Sequence, residues 1–287
     1  MHLTFLGTGA ATASPLPFCN CACCAAARRE GGKNIRRRSS LLVGDELLID
    51  LGPDTVQAAF RLSRDLRRVH TLLVTHAHAD HFDPGHLCTR LRAYGCVAPA
   101  PLALVASPAS LTRMSEALMR EEPDARLDDR AGLAALSLTV RPCLPGDRFV
   151  CGRYTVTALA SRHDPAVDSR LYVVDDGEKR LLYALDSPAF DEANWEALAA
   201  LGTPLDCVVL DHTYGPHLRD LPRDDHMSAH DAARTAAALH VRGLLTPGAQ
   251  IWASHLSHEG TPPHAEMSRI AERNGYRVAW DGMEIDV

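Results

Sequence analysis

No stretch of this chain is long and apolar enough to cross a bilayer, which takes about 20 consecutive apolar residues. The start, Met1-His2-Leu3-Thr4-Phe5-Leu6-Gly7, lacks a basic region followed by a long apolar run. It reads as a strand entering a glycine turn, not as a signal peptide. The expected location is therefore the cytoplasm, with no membrane partner. Positive charge is short as well: 30 Lys and Arg stand against 36 Asp and Glu, a formal net charge of −6. A general nucleic-acid binder needs surplus cations to displace counterions, so no stable nucleic-acid complex is expected. A small phosphorylated substrate needs only a local positive cluster and remains open. Internal repeats and low-complexity linkers are also missing, and 287 residues can bury one large core as a single domain. The nine cysteines are odd in number, and four crowd into residues 19–24. In a reducing compartment that crowding points to metal binding rather than cross-linking.

What is present is mostly short apolar runs. Ser40–Val43 and Glu46–Asp50, separated by Gly44-Asp45, predict a hairpin. Further strands are predicted at Thr71–Thr75, Leu102–Val105, Leu136–Val140, Tyr154–Leu159, Leu171–Val174, Arg180–Leu185, Cys207–Leu210 and Ile251–Ala253. Helical patterns lie at Pro53–Ser63 (Pro53 suiting a first-turn position), Ser107–Glu121, Asp191–Leu201, Ser228–His240 and Pro263–Asn274. The segment Ala10–Arg38 is the main irregular stretch, and so long a loop is usually functional or tied down. Two packed sheets with helices outside fit this order, though periodicity alone leaves a doubly wound sheet open.

The strongest signal is Thr75-His76-Ala77-His78-Ala79-Asp80-His81, directly after an apolar strand. Imidazole nitrogen and carboxylate oxygen are good ligands for zinc and similar ions. Alternate residues of an extended turn point the same way, so His76 and His78 suit one ion while Asp80 and His81 face a second. A surface loop rich in His by chance is the plainer alternative, but it would not need the preceding strand. His163, Asp186 and His255 each sit just past a predicted strand. Singly each is weak; their force comes from combination and order.

His-x-His-x-Asp-His followed by His, Asp and His at successive strand ends resembles the metallo-β-lactamase superfamily. The resemblance runs from Leu6-Gly7-Thr8-Gly9 to Asp281-Gly282-Met283-Glu284. It implies an α/β fold, an αββα sandwich in a single domain. It also implies that His76, His78 and His163 hold one divalent ion (Zn or Mn), that Asp80, His81 and His255 hold another, and that Asp186 bridges them together with a hydroxide.

Cys19, Cys21 and Cys24 form Cys-x-Cys-x-x-Cys, and three thiolates need a fourth ligand to close a tetrahedral zinc site. His258, three residues after His255, could supply it; a loop of free thiols is the alternative. Cys23 has no assignment, and the other cysteines read as small buried residues. The cysteine motif, Arg36-Arg37-Arg38 ending in Ser39-Ser40, and Ser254-His255-Leu256-Ser257-His258 together resemble the phosphoribosyl cyclic phosphate phosphodiesterase family of the carbon–phosphorus lyase pathway. That resemblance implies one structural zinc on an inserted loop at about residues 15–39, and a homodimer. A tied loop would present Arg36, Arg37 and Arg38 to a substrate phosphate, which guanidinium forks suit; a solvated turn is the alternative.

Two cations would make hydroxide available at neutral pH, and a departing alkoxide needs a proton. The candidate acid is His226, in Asp225-His226-Met227-Ser228, just before a helix whose first-turn N–H groups attract anions. This segment resembles the His-x-Ser stretch of the cyclic phosphodiesterase and tRNA 3′-processing branches. Asp211 could accept a hydrogen bond from it. His230 reads as structural, and His212 as a supporting group or a substrate contact. The expected activity is hydrolysis of a small cyclic phosphodiester. One rival is a tRNA 3′-processing-type ribonuclease, whose long Gly-Pro and Lys-rich arm is not visible here. The other is a non-hydrolytic biosynthetic protein like PqqB, which is marked by an altered ligand cluster.

Overall fold

A strand apolar at every position must be covered on both faces, and this chain has many. The computed structural model, which describes residues 1–218 and 224–287, arranges them as two seven-stranded sheets. One contains β1 (His2–Gly7), β2 (Ser40–Val43), β3 (Leu47–Ile49), β4 (Thr71–Leu73), β5 (Leu102–Ala106) and β6 (Leu138–Pro142), side by side in chain order. The other contains β7 (Arg148–Cys151), β8 (Tyr154–Ala160), β9 (Arg170–Asp175), β10 (Arg180–Ala184), β11 (Leu205–Asp211), β12 (Leu245–Ser254) and β13 (Arg277–Val278), again in order. The last strand, β14 (Glu284–Asp286), returns to pair antiparallel with β1.

Alternation along each strand builds four layers. Leu41, Val43, Ile49 and Leu73 of one sheet meet Val156, Tyr172, Val174 and Val209 of the other in a shared core. Each fully buried aliphatic side chain contributes about 1.5–3 kcal/mol, so this shared core is a major source of the fold's stability. The chain's first helix, α1 (Ala22–Glu30), lies in the cysteine segment. The outward residues Leu42, Leu48 and Leu72 cluster with residues of α2 (Thr55–Arg61), α3 (Pro84–Cys88), α4 (Pro108–Glu121) and α5 (Arg130–Leu136). Leu182, Ala184 and Leu210 do the same with α6 (Glu192–Ala200), α7 (Ala229–Val241) and α8 (His264–Arg273). The result is the expected αββα sandwich, and among the described residues no helix is long and apolar enough to cross a membrane.

Several local expectations change. The stretch from Ala10 to Arg38 is not all irregular, because α1 forms there with the Cys21 sulfur capping its start. Pro53 precedes the helix instead of opening it: Asp54 is the cap position, and Thr55 N donates to Gly52 O. The apolar run Leu136–Val140 is cut in two, with Leu136 ending α5 and Ser137 taking a left-handed φ of 52° before β6.

Strand direction places the site. β3, β4 and β5 are mutually parallel, as are β10, β11 and β12. β8 and β10 both run antiparallel to β9, hence the same way as each other. The segments leaving β4, β8, β10 and β12, which carry the predicted ligands, meet at one end of the sandwich.

Candidate metal centre

Beyond β4, Thr75 donates to Asp50 from both its N–H (2.8 Å) and its hydroxyl (3.0 Å), fixing where residues 76–81 begin. The His81 and Phe82 N–H groups both donate to His78 O, at 3.0 and 2.9 Å, and close the turn. Two clusters result. His76 Nε2 lies 2.9 Å from His78 Nδ1, which lies 3.3 Å from His163 Nε2. Asp80 Oδ2 lies 3.0 Å from His81 Nε2 and 3.5 Å from His255 Nε2. Asp186 stands between them: Oδ1 is 3.6 Å from His163 Nε2 and 3.9 Å from His76 Nε2, while Oδ2 is 2.9 Å from His81 Nε2 and 3.3 Å from His255 Nε2.

These spacings fit two divalent ions. A tetrahedron of bonds of about 2.1 Å has edges of about 3.4 Å. His81 Nε2 and Asp186 Oδ2 are buried and face only one another and the other donors of the cluster, as metal-directed atoms would. The charges agree: burial opposes protonation of His81, yet Asp186, Asp80 and Asp50 together raise it well above its ordinary value. Asp80 and Asp186, despite burial, are held well below the usual carboxylate range, by His81 and His255 chiefly. The site demands positive charge. His76, His78 and His163 would hold one ion, Asp80, His81 and His255 the other, and Asp186 would offer an oxygen to each.

Partners behind the ligands fix their ring faces. His81 Nδ1 lies 2.8 Å from the fully buried Asp50, and His78 Nε2 lies 3.1 Å from Asp164. His163 Nδ1 is 3.0 Å from Asp225 O, and His255 Nδ1 is 2.8 Å from Thr213 Oγ1. Sequence reasoning missed Asp50, Asp164 and Thr213 in these roles. The available signal was Asp50 closing the apolar stretch Leu47–Ile49 and Asp164 adjoining a ligand. Asp50, Asp186 and His255 share left-handed backbone, φ 65°, 50° and 61°. Non-glycine residues in that region concentrate at functional sites.

A cleft of about 180 Å³ opens onto the clusters, lined by residues that include Ala11, Thr12, Tyr214 and His226. His226 Nδ1 is 2.8 Å from Asp211 Oδ2, while Asp211 Oδ1 accepts from Thr213 and from Met227 N. Burial opposes charge on His226, but Asp211 outweighs it and, with Asp186 and Asp225, brings the imidazole up to about 9. The α7 N-terminus is not offered to an anion as expected, because Ser228 and Asp231 close it with reciprocal hydrogen bonds. His212 turns away from the cleft: it is buried, with Nε2 3.0 Å from Tyr276 Oη. His230 is exposed on α7.

The three arginines do not line this cleft. Arg36 is buried, donating to Thr8 Oγ1 and Ala279 O at 2.7 Å each, and burial lowers it to about 10. Arg37 faces Asp281 at 3.4 Å. Arg38 pairs with Asp54 at 3.0 Å and donates to Ala11 O. They brace the strand-end loops.

Cys19, Cys21, Cys24 and His258 converge, with all four ligand atoms within 4.8 Å of one another. His258 Nδ1 is 3.4 Å from Cys21 Sγ and 3.8 Å from Cys19 Sγ, near the edge of about 3.8 Å for bonds of about 2.3 Å to sulfur. Backbone N–H groups of Leu16, Cys21 and Cys24 point at Cys24, Cys19 and Cys21 sulfurs respectively. Arg28 holds the loop by donating to the carbonyls of Leu16, Pro17 and Cys19. Burial opposes ionisation of Cys21, but the Cys24 N–H and His258 bring it down to about 6, whereas burial and the adjacent sulfurs push Cys24 up to about 12. Thiols so close ionise together only around a cation, so these residues fit a zinc ion. Cys23 stands outside the cluster, its thiol pushed up to about 11 by burial.

The profile of the Beta-lactamase superfamily domain matches residues 46–246, most of the chain. The chain belongs to the beta-lactamase superfamily. Solved structures share this superfamily fold across the whole length. A diphosphatase from the PhnP family aligns with a TM-score of 0.73 and 20% identity, covering 100% of this chain and 97% of that one. Zn(2+)-bound PqqB from Methylobacterium extorquens aligns at 0.75 and 21%, covering 100% of both. Human tRNase Z, short form, aligns at 0.65 and 18%, covering 100% of this chain and 99% of that one. No curated protein sequence matches. Superfamily membership and the convergent His and Asp donors support a metal-dependent hydrolase.

Proposed function

We propose that the chain is a dinuclear metal-dependent phosphodiesterase that hydrolyses a small cyclic phosphodiester of the phosphoribosyl cyclic phosphate or cyclic nucleotide type. The observation that carries this reading is His226, set beside both ligand clusters and held through Nδ1 by Asp211. A thiolate leaves a thioester without such a group, whereas expulsion of an alkoxide needs a proton donor.

Two divalent ions (Zn or Mn), when bound, supply a hydroxide at neutral pH and offset charge on the phosphoryl oxygens. The chain's own residues do the rest. Asp186 spans the two clusters and fixes their spacing. Asp50 and Thr213 hold His81 and His255 with Nε2 turned inward. His226 gives a proton from Nε2 to the departing sugar oxygen, and Asp211 steadies the imidazole. A cleft of this size supports a small ester. The negative net charge argues against a tRNA-processing role. With no Lys or Arg among the described residues that line the cleft, the positive charge a small phosphodiester needs would come from the two ions.

The PqqB-like biosynthetic reading draws on the full-length likeness to that protein. The complete donor set favours hydrolysis instead. The test is to assay metal-replete protein on bis(p-nitrophenyl) phosphate, 2′,3′-cyclic nucleotides and a ribosyl cyclic phosphate. Turnover is expected on these diesters and is abolished by Asp80→Ala. Unchanged turnover in that variant removes the site as drawn, and no turnover on any diester leaves the biosynthetic reading.

A further inference from the structure

The cysteine cluster and the catalytic cluster share one short piece of backbone. His255 belongs to the second, His258 to the first, and only Leu256 and Ser257 separate them. His255 adopts a left-handed φ of 61° without being glycine. Such a conformation is strained for a residue with a Cβ and persists only where the surroundings over-determine it. The restraints are visible. Before it, His212 N donates to Ser254 O at 3.0 Å. After it, Leu256 N donates to Thr8 O at 3.0 Å and Ala10 N donates to Leu256 O at 3.1 Å. Ser257 donates to Thr213 O twice, from N at 3.1 Å and from Oγ at 2.7 Å. Thr213 in turn places its hydroxyl 2.8 Å from His255 Nδ1. The next residue is His258, whose ring is held among the sulfurs.

We infer that His258 and Ser257 are positioning residues for His255: filling the cysteine cluster tightens the half-site of Asp80, His81 and His255 for its ion. The inference rests on the reading of both clusters as metal sites, and not on which ester is cleaved. The other half-site, His76, His78 and His163, draws its residues from the segments after β4 and β8, neither of which carries a cysteine-cluster ligand. It therefore gains nothing from that filling. By linkage the effect is reciprocal, so filling the catalytic half-site also tightens the cysteine cluster.

The experiment measures Co2+ affinity and needs no substrate. In a His76→Ala background the half-site with His255 is titrated; in an Asp80→Ala background the half-site with His163 is titrated. Each is measured with and without His258→Ala, and again with Ser257→Ala, which keeps the cysteine ligands. The expected result is a Kd raised about tenfold or more for the His255 half-site by His258→Ala, the scale found when groups supporting a ligand are removed. Ser257→Ala should raise it as well, with cysteine-bound zinc retained, and the His163 half-site should not change. Equal weakening of both half-sites would mean a general loosening and overturns the inference. An unchanged Kd in Ser257→Ala overturns it too, even if His258→Ala fails to fold. Loss of diester turnover alone bears on the proposed function and leaves these affinities unaffected.

Discussion

Asp50 and His81 face each other at 2.8 Å, both wholly enclosed, with Thr75 donating to the same carboxylate. Asp50 thus fixes the His81 tautomer, with Nδ1 protonated and Nε2 turned to the catalytic cluster. Asp50→Asn keeps the shape and removes the charge. Metal affinity at the half-site with His255 should fall about 10–100-fold, as read by titration with Co2+. An unchanged affinity would show that Thr75 and packing alone orient the ring. Asp50→Ala should additionally destabilise the fold by about 1–3 kcal/mol, because Thr75 N and His81 Nδ1 lose their buried acceptor.

Asp186 divides its two oxygens between the clusters, so its removal should empty both. Purified wild-type protein should carry about three ions per chain, and Asp186→Ala about one, held by the cysteines. Elemental analysis of desalted protein checks this. If Asp186→Ala keeps two catalytic ions, the carboxylate does not bridge.

The ligands were legible because each of His163, Asp186 and His255 follows an apolar strand, and the group His76–His81 sits in one turn. Asp50, Asp164 and Thr213 were not, since none falls in the His-x-His-x-Asp-His then His, Asp, His order that singled out the ligands; their roles arise only when distant strand ends meet. The layers fitted the apolar runs, but those runs fitted a doubly wound sheet as well, and only the family resemblance chose between them. Boundaries failed where one run crosses two elements, as at Ser137. Helix α1 was hidden by the prolines and cysteines before it, whose structure depends on Arg28 and His258. Arg36-Arg37-Arg38 looked like an anion site because charge density shows in sequence and burial does not.

Arg36 should therefore prove structural. Its guanidinium contacts Thr8, Ala279 and His264, and Arg36→Ala leaves a cavity and an unpaired carbonyl. Unfolding in urea should show a loss of about 3 kcal/mol. Arg38→Ala, whose pair with Asp54 is partly exposed, should lose about 1 kcal/mol or less. KM for a diester should stay the same in the folded fraction of both. A KM that rises steeply in Arg36→Ala without lost stability would restore the arginine to substrate binding.

His226 and Asp211 separate bond cleavage from ion binding. A p-nitrophenolate leaves without help, whereas a sugar alkoxide is a strong base and needs its proton as the bond breaks. His226→Ala should thus slow a ribosyl or nucleoside cyclic phosphate by about 10²-fold or more, and bis(p-nitrophenyl) phosphate far less. Asp211→Asn should shift the same ratio in the same direction, because it leaves the imidazole without the carboxylate that holds Nδ1. Metal content should stay at the wild-type level in His226→Ala, since the donor sets His76, His78, His163 and Asp80, His81, Asp186, His255 are complete without that ring, even though it also lies within reach of His163 and Asp186. Parallel kcat measurements on the two substrate types decide the point. An equal loss on both would mean that His226 binds or orders the site and does not deliver the proton.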